Sequence, residues 1–263
     1  LKRTIKLAKL MNNIIRLPWQ EFDTDSLRFD DQIFLITGAA GGIGSALTRE
    51  LSTRGGTVIM LDKKQRHLEK LYDELCSENA TEPVILPADL TQLNAENIGA
   101  LVDGLEQDFG RLDALIHNAA ELGTLAPLNQ YDLQQWSTVM QVNLHAPYLL
   151  TRALLPLLQN AKNGRILFTT ADSATQANAF WGAYAIAYAG VQAQMSLWHE
   201  ELENTTNLYF NCINPGAVRT AMRRLSHPGE VAEESPAPTE IMPAYLQALS
   251  TIDSTYRGKI LLI

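Results

Sequence analysis

The fold of this chain is decided by one short stretch, Ile33-Phe34-Leu35-Ile36-Thr37-Gly38-Ala39-Ala40-Gly41-Gly42-Ile43-Gly44. Its apolar beginning is typical of a strand that is buried on both faces. A glycine-rich turn follows, and residues 45–54 then carry apolar side chains at helical spacing. Glycines let backbone N–H groups approach an anion closely, and the N-terminus of a helix adds the positive end of its dipole. Strand, glycine turn and helix in this order therefore predict a phosphate-binding site.

A carboxylate after the next apolar run indicates what carries the phosphate. Residues 57–61 are typical of a second strand, and Asp62 follows them directly. Dinucleotide-binding folds place a carboxylate about 20 residues beyond the first glycine, where it binds the ribose of the adenosine. A glycine cluster alone is usually only a turn. The prediction of dinucleotide binding therefore depends on the strand, the helix and Asp62 together.

The spacing of the glycines is Thr-Gly-x-x-x-Gly-x-Gly, which differs from the common G-x-G-x-x-G. This variant resembles the short-chain dehydrogenase/reductase family, and the resemblance extends over residues 31–263. It implies a nicotinamide dinucleotide as cofactor and an alcohol/carbonyl pair as substrate. The cofactor-binding residues that it implies in this stretch are Gly38, Gly42, Ile43, Gly44 and Asp62.

Strand-like and helical patterns alternate through the chain without a linker. The strand-like runs are residues 33–37, 57–61, 84–87, 114–117, 165–169, 208–213 and 259–263. Helical spacing covers residues 43–54, 65–77, 95–109, 133–160 and 181–203. This alternation predicts a Rossmann-type α/β fold, a doubly wound parallel sheet of seven strands with helices on both faces. Pro147 and Pro156 each either begin or kink a helix, and residues 226–239 are predicted to form a lid.

Composition narrows the class of protein. A chain of 263 residues with 46% hydrophobic residues can bury one α/β core, and its net charge of −8 argues against nucleic-acid binding. The five histidines have no metal-ligand spacing, so we expect no metal site. Cys76 and Cys212 are predicted to be buried and unpaired, which favours a reducing, cytoplasmic location. No run approaches the roughly 20 apolar residues that span a bilayer.

The N-terminal segment differs from the rest in charge. The first 20 residues contain no acidic side chain but five basic ones, Lys2, Arg3, Lys6, Lys9 and Arg16. No apolar run typical of a secretory signal follows. A membrane-surface helix, a flexible leader and an extension upstream of a natural start at Met11 all remain open. We expect residues 1–30 to form this basic leader and an arm over the domain, and residues 31–263 to form the NAD-binding domain.

Further cofactor contacts follow from the resemblance. Asp89 and Leu90 come after the third predicted strand, where the family uses an aspartate to bind the adenine amino group, although Asp89 could equally cap the next element. Asn118 lies in His117-Asn118-Ala119-Ala120, which resembles the family's Asn-Asn-Ala-Gly with alanine in place of the glycine. On the nicotinamide side, the resemblance implies Pro215, Gly216, Val218 and Thr220.

The choice between NAD and NADP depends on Asp62. A carboxylate repels the 2′-phosphate of NADP, so Asp62 favours NAD. Lys63 and Lys64 follow directly and could soften this preference, because a basic residue there accommodates the phosphate in other members of the family.

The catalytic residues depart from the family pattern. The sequence Trp181-Gly182-Ala183-Tyr184-Ala185 identifies Tyr184 as the catalytic tyrosine. The pattern then requires serine at position 171 and lysine at position 188, but the chain has Ala171 and Tyr188. Taking Tyr188 as the catalytic tyrosine does not help, since Gln192 would then replace the lysine. Asn143 resembles the helix asparagine of the family's proton relay, although such a residue can also be a local hydrogen-bonding group.

The missing lysine matters because of the tyrosine pKa. A free tyrosine has a pKa of about 10, and a neighbouring ammonium group lowers it by favouring the phenolate. Tyr188 lies one helical turn from Tyr184 but brings no charge. The missing serine matters less, because Thr170, Asp172 or Ser173 could orient a carbonyl. We interpret Tyr184 as the acid/base with support from Asn143, in a weakened site.

Two functions are compatible with these residues. The first is an NAD-dependent oxidoreductase of the short-chain dehydrogenase/reductase type that acts on an alcohol/carbonyl pair of a small molecule. The second is an inactive NAD-binding pseudoenzyme with a sensing or structural role. We also expect a homodimer or homotetramer, because the helical run 181–203 is rich in small residues that allow another helix to pack closely. The alternative is that these residues pack only on their own sheet.

Overall fold

A computed structural model describes residues 13–250 and 254–263. Its centre is one sheet of eight parallel strands, in the order β1-β8-β7-β6-β5-β2-β3-β4. The strands are β1 (Ile14–Arg16), β2 (Ile33–Thr37), β3 (Thr57–Asp62), β4 (Val84–Pro87), β5 (Ala114–His117), β6 (Arg165–Thr169), β7 (Tyr209–Asn214) and β8 (Ile260–Leu262). The Rossmann-type fold predicted from the sequence is confirmed.

The predicted count of seven strands is wrong, because the N-terminal arm adds an eighth. Strand β1 pairs with β8 in parallel register, with Ile14 opposite Ile260 and Arg16 opposite Leu262. It is three residues long at the edge of the sheet, and its residues are exposed or half-buried. An edge strand so short has no continuous apolar run, so its pattern does not stand out in the sequence. Residues 1–12, with most of the basic leader and Met11, lie outside the described residues.

Helices cover both faces of the sheet. They are α1 (Gly42–Thr53), α2 (Gln65–Ser77), α3 (Ala95–Phe109), α4 (Leu133–Met140), α5 (Ala146–Gln159), α6 (Ser173–Gln176), α7 (Gly182–Leu202), α8 (Ala221–Ser226) and α9 (Met242–Ser250). Side chains alternate along each strand, so Leu35 packs in the core under α3, α5 and α7. Phe34 and Ile36 pack on the other face, under α1, α2 and α9.

The long helical region 133–160 contains three segments. A π-helical turn, Gln141–His145, joins α4 to α5. Pro147 stands in the first turn of α5, where its missing N–H costs nothing, whereas Pro156 lies inside α5. The sequence could not decide between these two roles.

The two cysteines differ in their surroundings. Cys212 is buried in β7, as predicted, but Cys76 is exposed, so the expectation that both are buried is wrong. Cys76 lies in the last turn of α2, roughly 100° around the helix from Leu75 and thus beside the buried face of Leu68, Leu71 and Leu75. None of the described helices is both long and apolar enough to cross a membrane. Among the described residues, no group of three or more His, Cys, Asp or Glu side chains could hold a metal ion.

Candidate active site

A cavity of about 690 Å³ opens at the carboxyl ends of the strands. Strand order reverses between β2 and β5, and open α/β sheets bind ligands in the crevice at such a point. Two predicted site residues, Gly44 and Asn143, lie behind the cavity wall. The predicted residues that line it are Gly38, Gly42, Ile43, Asp62, Asp89, Leu90, Asn118, Tyr184, Pro215, Gly216, Val218 and Thr220.

The glycine turn is shaped as a tight cradle between β2 and α1. Gly38 has a φ of +67°, and a side chain there would also strike the backbone of Ala119. A Cβ atom on Gly44 would come within 2.2 Å of the Gly38 carbonyl oxygen. A Cβ atom on Gly42 would come within 2.9 Å of Thr220 Cγ2, which also belongs to the cavity lining. The turn therefore needs glycine at these positions, and the residues present fit a bound diphosphate.

Asn118 and Thr37 hold this turn in place. The Asn118 side-chain amide donates to the carbonyl oxygen of Gly38 at 3.2 Å, and the backbone N–H groups of Asn118 and Ala119 donate to Thr37 Oγ1 at 3.0 and 3.1 Å. The geometry thus gives Asn118 a positioning role beside its place in the cavity wall. Ala120, which replaces the glycine of the family motif, also lines the cavity.

Two carboxylates mark the half of the cavity next to β3 and β4. Asp62 Oδ2 accepts from the N–H of Ala40 at 3.1 Å, and its Oδ1 accepts from the N–H of Lys64 at 2.9 Å. Asp89 Oδ1 accepts from the N–H of Thr91 at 2.9 Å, so it caps the short turn that begins at Leu90 while still facing the cavity. Both interpretations of Asp89 are therefore compatible with its geometry.

Glu121 is a cavity residue that the sequence interpretation missed. Its carboxylate Oε2 lies 3.6 Å from Lys63 Nζ, so the pair joins the ends of β3 and β5 over the end of β2. The pairing is long-range and follows no local motif, so no signal in the sequence could have revealed it.

Asn143 fixes the backbone of Glu121. It is buried in the π-helical turn, where its Nδ2 donates to the Glu121 carbonyl oxygen and its Oδ1 accepts from the Glu121 N–H, both at 2.8 Å. Both ends of the Asn143 side chain are therefore engaged in holding the cavity wall. This arrangement is that of a positioning residue.

Tyr184 faces the same cavity from α7. Its hydroxyl lies 3.7 Å from Met222 Sδ, and its ring packs against Tyr188 with 4.6 Å between centroids. Burial raises the pKa of Tyr184 to about 12, and a hydrogen bond with Tyr188 only partly opposes this. Burial also raises the pKa of Tyr188 well above its ordinary value. Both tyrosines are therefore neutral at physiological pH.

Three polar residues surround Ala171, the position of the family serine. Thr170 Oγ1 accepts from Gln192 Nε2 at 3.2 Å, and Asp172 Oδ1 accepts from Asn214 Nδ2 at 2.7 Å. Ser173 is buried, and its Oγ has no hydrogen-bond partner among the described residues. Thr170, Asp172 and Ser173 all line the cavity.

The turn after β7 forms a further side of the cavity. Asn214 Oδ1 accepts from the N–H of Gly216 at 3.0 Å, and Thr220 Oγ1 accepts from the N–H of Arg223 at 3.2 Å, which caps α8. Helix α8 and His227 supply part of the wall. The predicted lid, residues 226–239, contributes only Ser226 and His227 to the lining.

Residues 32–230 match the family model for short chain dehydrogenases. The chain belongs to the short-chain dehydrogenase family. It is 36% identical to the uncharacterized oxidoreductase YciK of Escherichia coli K12 over 82% of this chain and 85% of YciK. The YciK structure from E. coli superposes with a TM-score of 0.87 at 34% identity, over 92% of this chain and 98% of that one.

A second solved relative carries a cofactor. A Shigella flexneri 2a protein described as a short chain dehydrogenase was solved in complex with NADP. It is 34% identical, covers 89% of this chain and 97% of its own, and has a TM-score of 0.85. The resemblance predicted from the glycine spacing is thus confirmed. A nicotinamide dinucleotide is the cofactor type of this short-chain dehydrogenase family.

Proposed function

We propose that this protein is an NAD-dependent oxidoreductase that acts on an alcohol/carbonyl pair of a small molecule, with Tyr184 as the proton donor in carbonyl reduction. The observation that carries the proposal is that Tyr184 and the glycine turn line one cavity. The relatives support it, because they are oxidoreductases of the same family. Nothing in the comparisons favours the pseudoenzyme alternative.

The residues that would hold the cofactor are distributed around this cavity. When bound, the nicotinamide supplies hydride for reduction of the carbonyl. The glycine turn would hold the diphosphate, Asp62 the adenosine ribose, and Asp89 with Leu90 the adenine. The turn from Pro215 to Thr220 would hold the nicotinamide.

We assign NAD rather than NADP because of the charges at the ribose end. The Asp62 carboxylate stands where a 2′-phosphate would need a positive or neutral neighbour. Lys63 could offset this repulsion, but Glu121 lies close enough to share its charge. Because one relative was solved with NADP, the preference for NAD over NADP has to be measured on this chain.

The state of Tyr184 favours reduction over oxidation. With a pKa of about 12, only about one molecule in 100,000 carries phenolate at pH 7. At pH 7 the protonated form that carbonyl reduction requires is therefore abundant, and the phenolate that alcohol oxidation requires is scarce. Thr170 or Ser173 would orient the carbonyl oxygen of the substrate in place of the missing serine. Asn143 would hold the backbone of Glu121 in the cavity wall.

The test is turnover of NADH with a panel of aldehydes and ketones. General acid catalysis is worth about a hundredfold or more, so Tyr184→Phe should lower the rate by that factor. The matched control is Tyr72→Phe on α2, where the hydroxyl bonds Glu82 away from the cavity. NADH binding without turnover on any carbonyl would instead support the pseudoenzyme.

A further inference from the structure

We infer that Asp172 makes the catalytic half of the cavity selective for the oxidised, cationic nicotinamide over the reduced, neutral one. The inference rests on the proposed function, because it requires that the turn after β7 holds the nicotinamide. It assigns Asp172 a role in setting the redox preference of the site. This role differs from orienting the substrate carbonyl, for which Asp172 is also a candidate.

Asp172 is physically joined to this turn. It follows β6 directly after Thr170 and Ala171, and its Oδ1 accepts from Asn214 Nδ2 at 2.7 Å. Asn214 is 7% exposed, and its own Oδ1 accepts from the N–H of Gly216 at 3.0 Å. One buried amide thus fixes the carboxylate and the turn relative to each other. Asp172, Pro215 and Gly216 all line the cavity.

No basic side chain of the cavity lining forms an ion pair with this carboxylate within the part of the chain that the structure describes. The lysine of the family pattern is replaced by Tyr188, which is buried and neutral. Arg223 lines the same half, but its guanidinium forms two hydrogen bonds with the Glu230 carboxylate. No ion pair in the described residues involves Asp172, whose partner is the neutral Asn214 amide.

Besides Arg223, the cavity lining contains the basic side chains of Lys63, Lys64 and His227. Lys63 and Lys64 lie at the end of β3, beside Asp62 and Glu121. The His227 ring packs against Trp181, and its Nδ1 is 2.8 Å from Ser226 Oγ. Relative to the family pattern, the site has therefore lost an ammonium group, while the Asp172 carboxylate lies in its wall.

A fixed carboxylate attracts the cationic ring and has no such effect on the neutral one. Asp172 is exposed to the cavity, so a high effective dielectric limits the effect to about tenfold in affinity. For a two-electron couple, tenfold tighter binding of the oxidised form lowers the potential of the bound cofactor by about 30 mV. The bound reduced cofactor is then a stronger reductant, which agrees with a Tyr184 that is protonated at pH 7.

The test compares dissociation constants of NAD⁺ and NADH by calorimetry in the native chain and in Asp172→Asn. The asparagine keeps an acceptor for Asn214 while removing the charge. We expect about a tenfold loss of NAD⁺ affinity and little change for NADH. Asp172→Glu should retain the native ratio. Should Asp172→Asn fail to fold, Asp172→Ser serves as the second neutral variant.

Asp89→Asn is the matched control, because it removes a carboxylate from the other end of the same cavity. The two cofactor forms are identical there, so their affinities should change together and the ratio should stay constant. If Asp172→Asn weakens both forms equally or neither form, the inference is overturned while the proposed function stands. If the native chain binds neither NAD(H) nor NADP(H), the proposed function itself fails.

Discussion

At the level of single residues, the proposed preference for NAD depends on Asp62 and Glu121. A 2′-phosphate would be repelled by Asp62, and Glu121 shares the charge of Lys63, one of the cavity residues that could bind such a phosphate. We predict tighter binding of NADH than of NADPH, measured by calorimetric titration of both. Equal or tighter binding of NADPH by the native chain would contradict the assignment.

Glu121→Gln provides a sharper form of the same prediction. It leaves Lys63 without its acidic partner, so NADPH affinity should rise by a few fold, as expected for an exposed ion pair worth up to about 1 kcal/mol. NADH affinity should stay constant. Glu82→Gln, which removes a carboxylate outside the cavity lining, is the control for net charge.

At the scale of elements, helix α7 presents different residues to the core and to solvent. Ala183 and Ala187 are fully buried on their own domain, which agrees with the alternative that small residues pack on the parent sheet. Ile186 is 43% exposed and Leu197 is 61% exposed. With Ala189 and Ala193 they form an apolar stripe along one helix face, at a spacing of three and four residues.

This stripe carries the prediction of a homodimer or homotetramer. Exposed apolar stripes on helices mark interaction sites, and a second α7 would cover this one symmetrically. Leu197→Glu should therefore yield the monomer mass in light scattering at micromolar concentration. Val231→Glu, at an exposed position outside the helices, should leave the native assembly intact. A native chain that is itself monomeric would refute the prediction.

At the scale of the whole molecule, the sequence predicts the fold better than the site. The glycine turn, its helix and seven strands follow from local patterns, because buried parallel strands are continuous apolar runs. Strand β1 does not, since three edge residues carry no such pattern. We propose that residues 31–263 form one cofactor-binding domain, to which the arm contributes this edge strand.

The site is harder to predict because its contacts join distant segments. The departures at Ala171 and Tyr188 are visible in the sequence, but their consequence is not. The contact of Tyr188 with Tyr184 follows from helical spacing. Asp172 reaches Asn214 and Glu121 reaches Lys63 only through the tertiary fold. No local spacing encodes these last two pairs.

In the proposed reaction, Tyr184 donates the proton without help from a lysine. The most direct test is the pH profile of kcat/KM for carbonyl reduction with NADH, in the native chain and in Tyr188→Lys. A donor with a pKa of about 12 remains protonated to beyond pH 10, so the native rate should show no decline due to Tyr184 between pH 7 and pH 10. In Tyr188→Lys the ammonium lowers the Tyr184 pKa, so a decline should enter this range. A native rate that already falls with a midpoint below about pH 9 would show that Tyr184 is not a proton donor with a raised pKa.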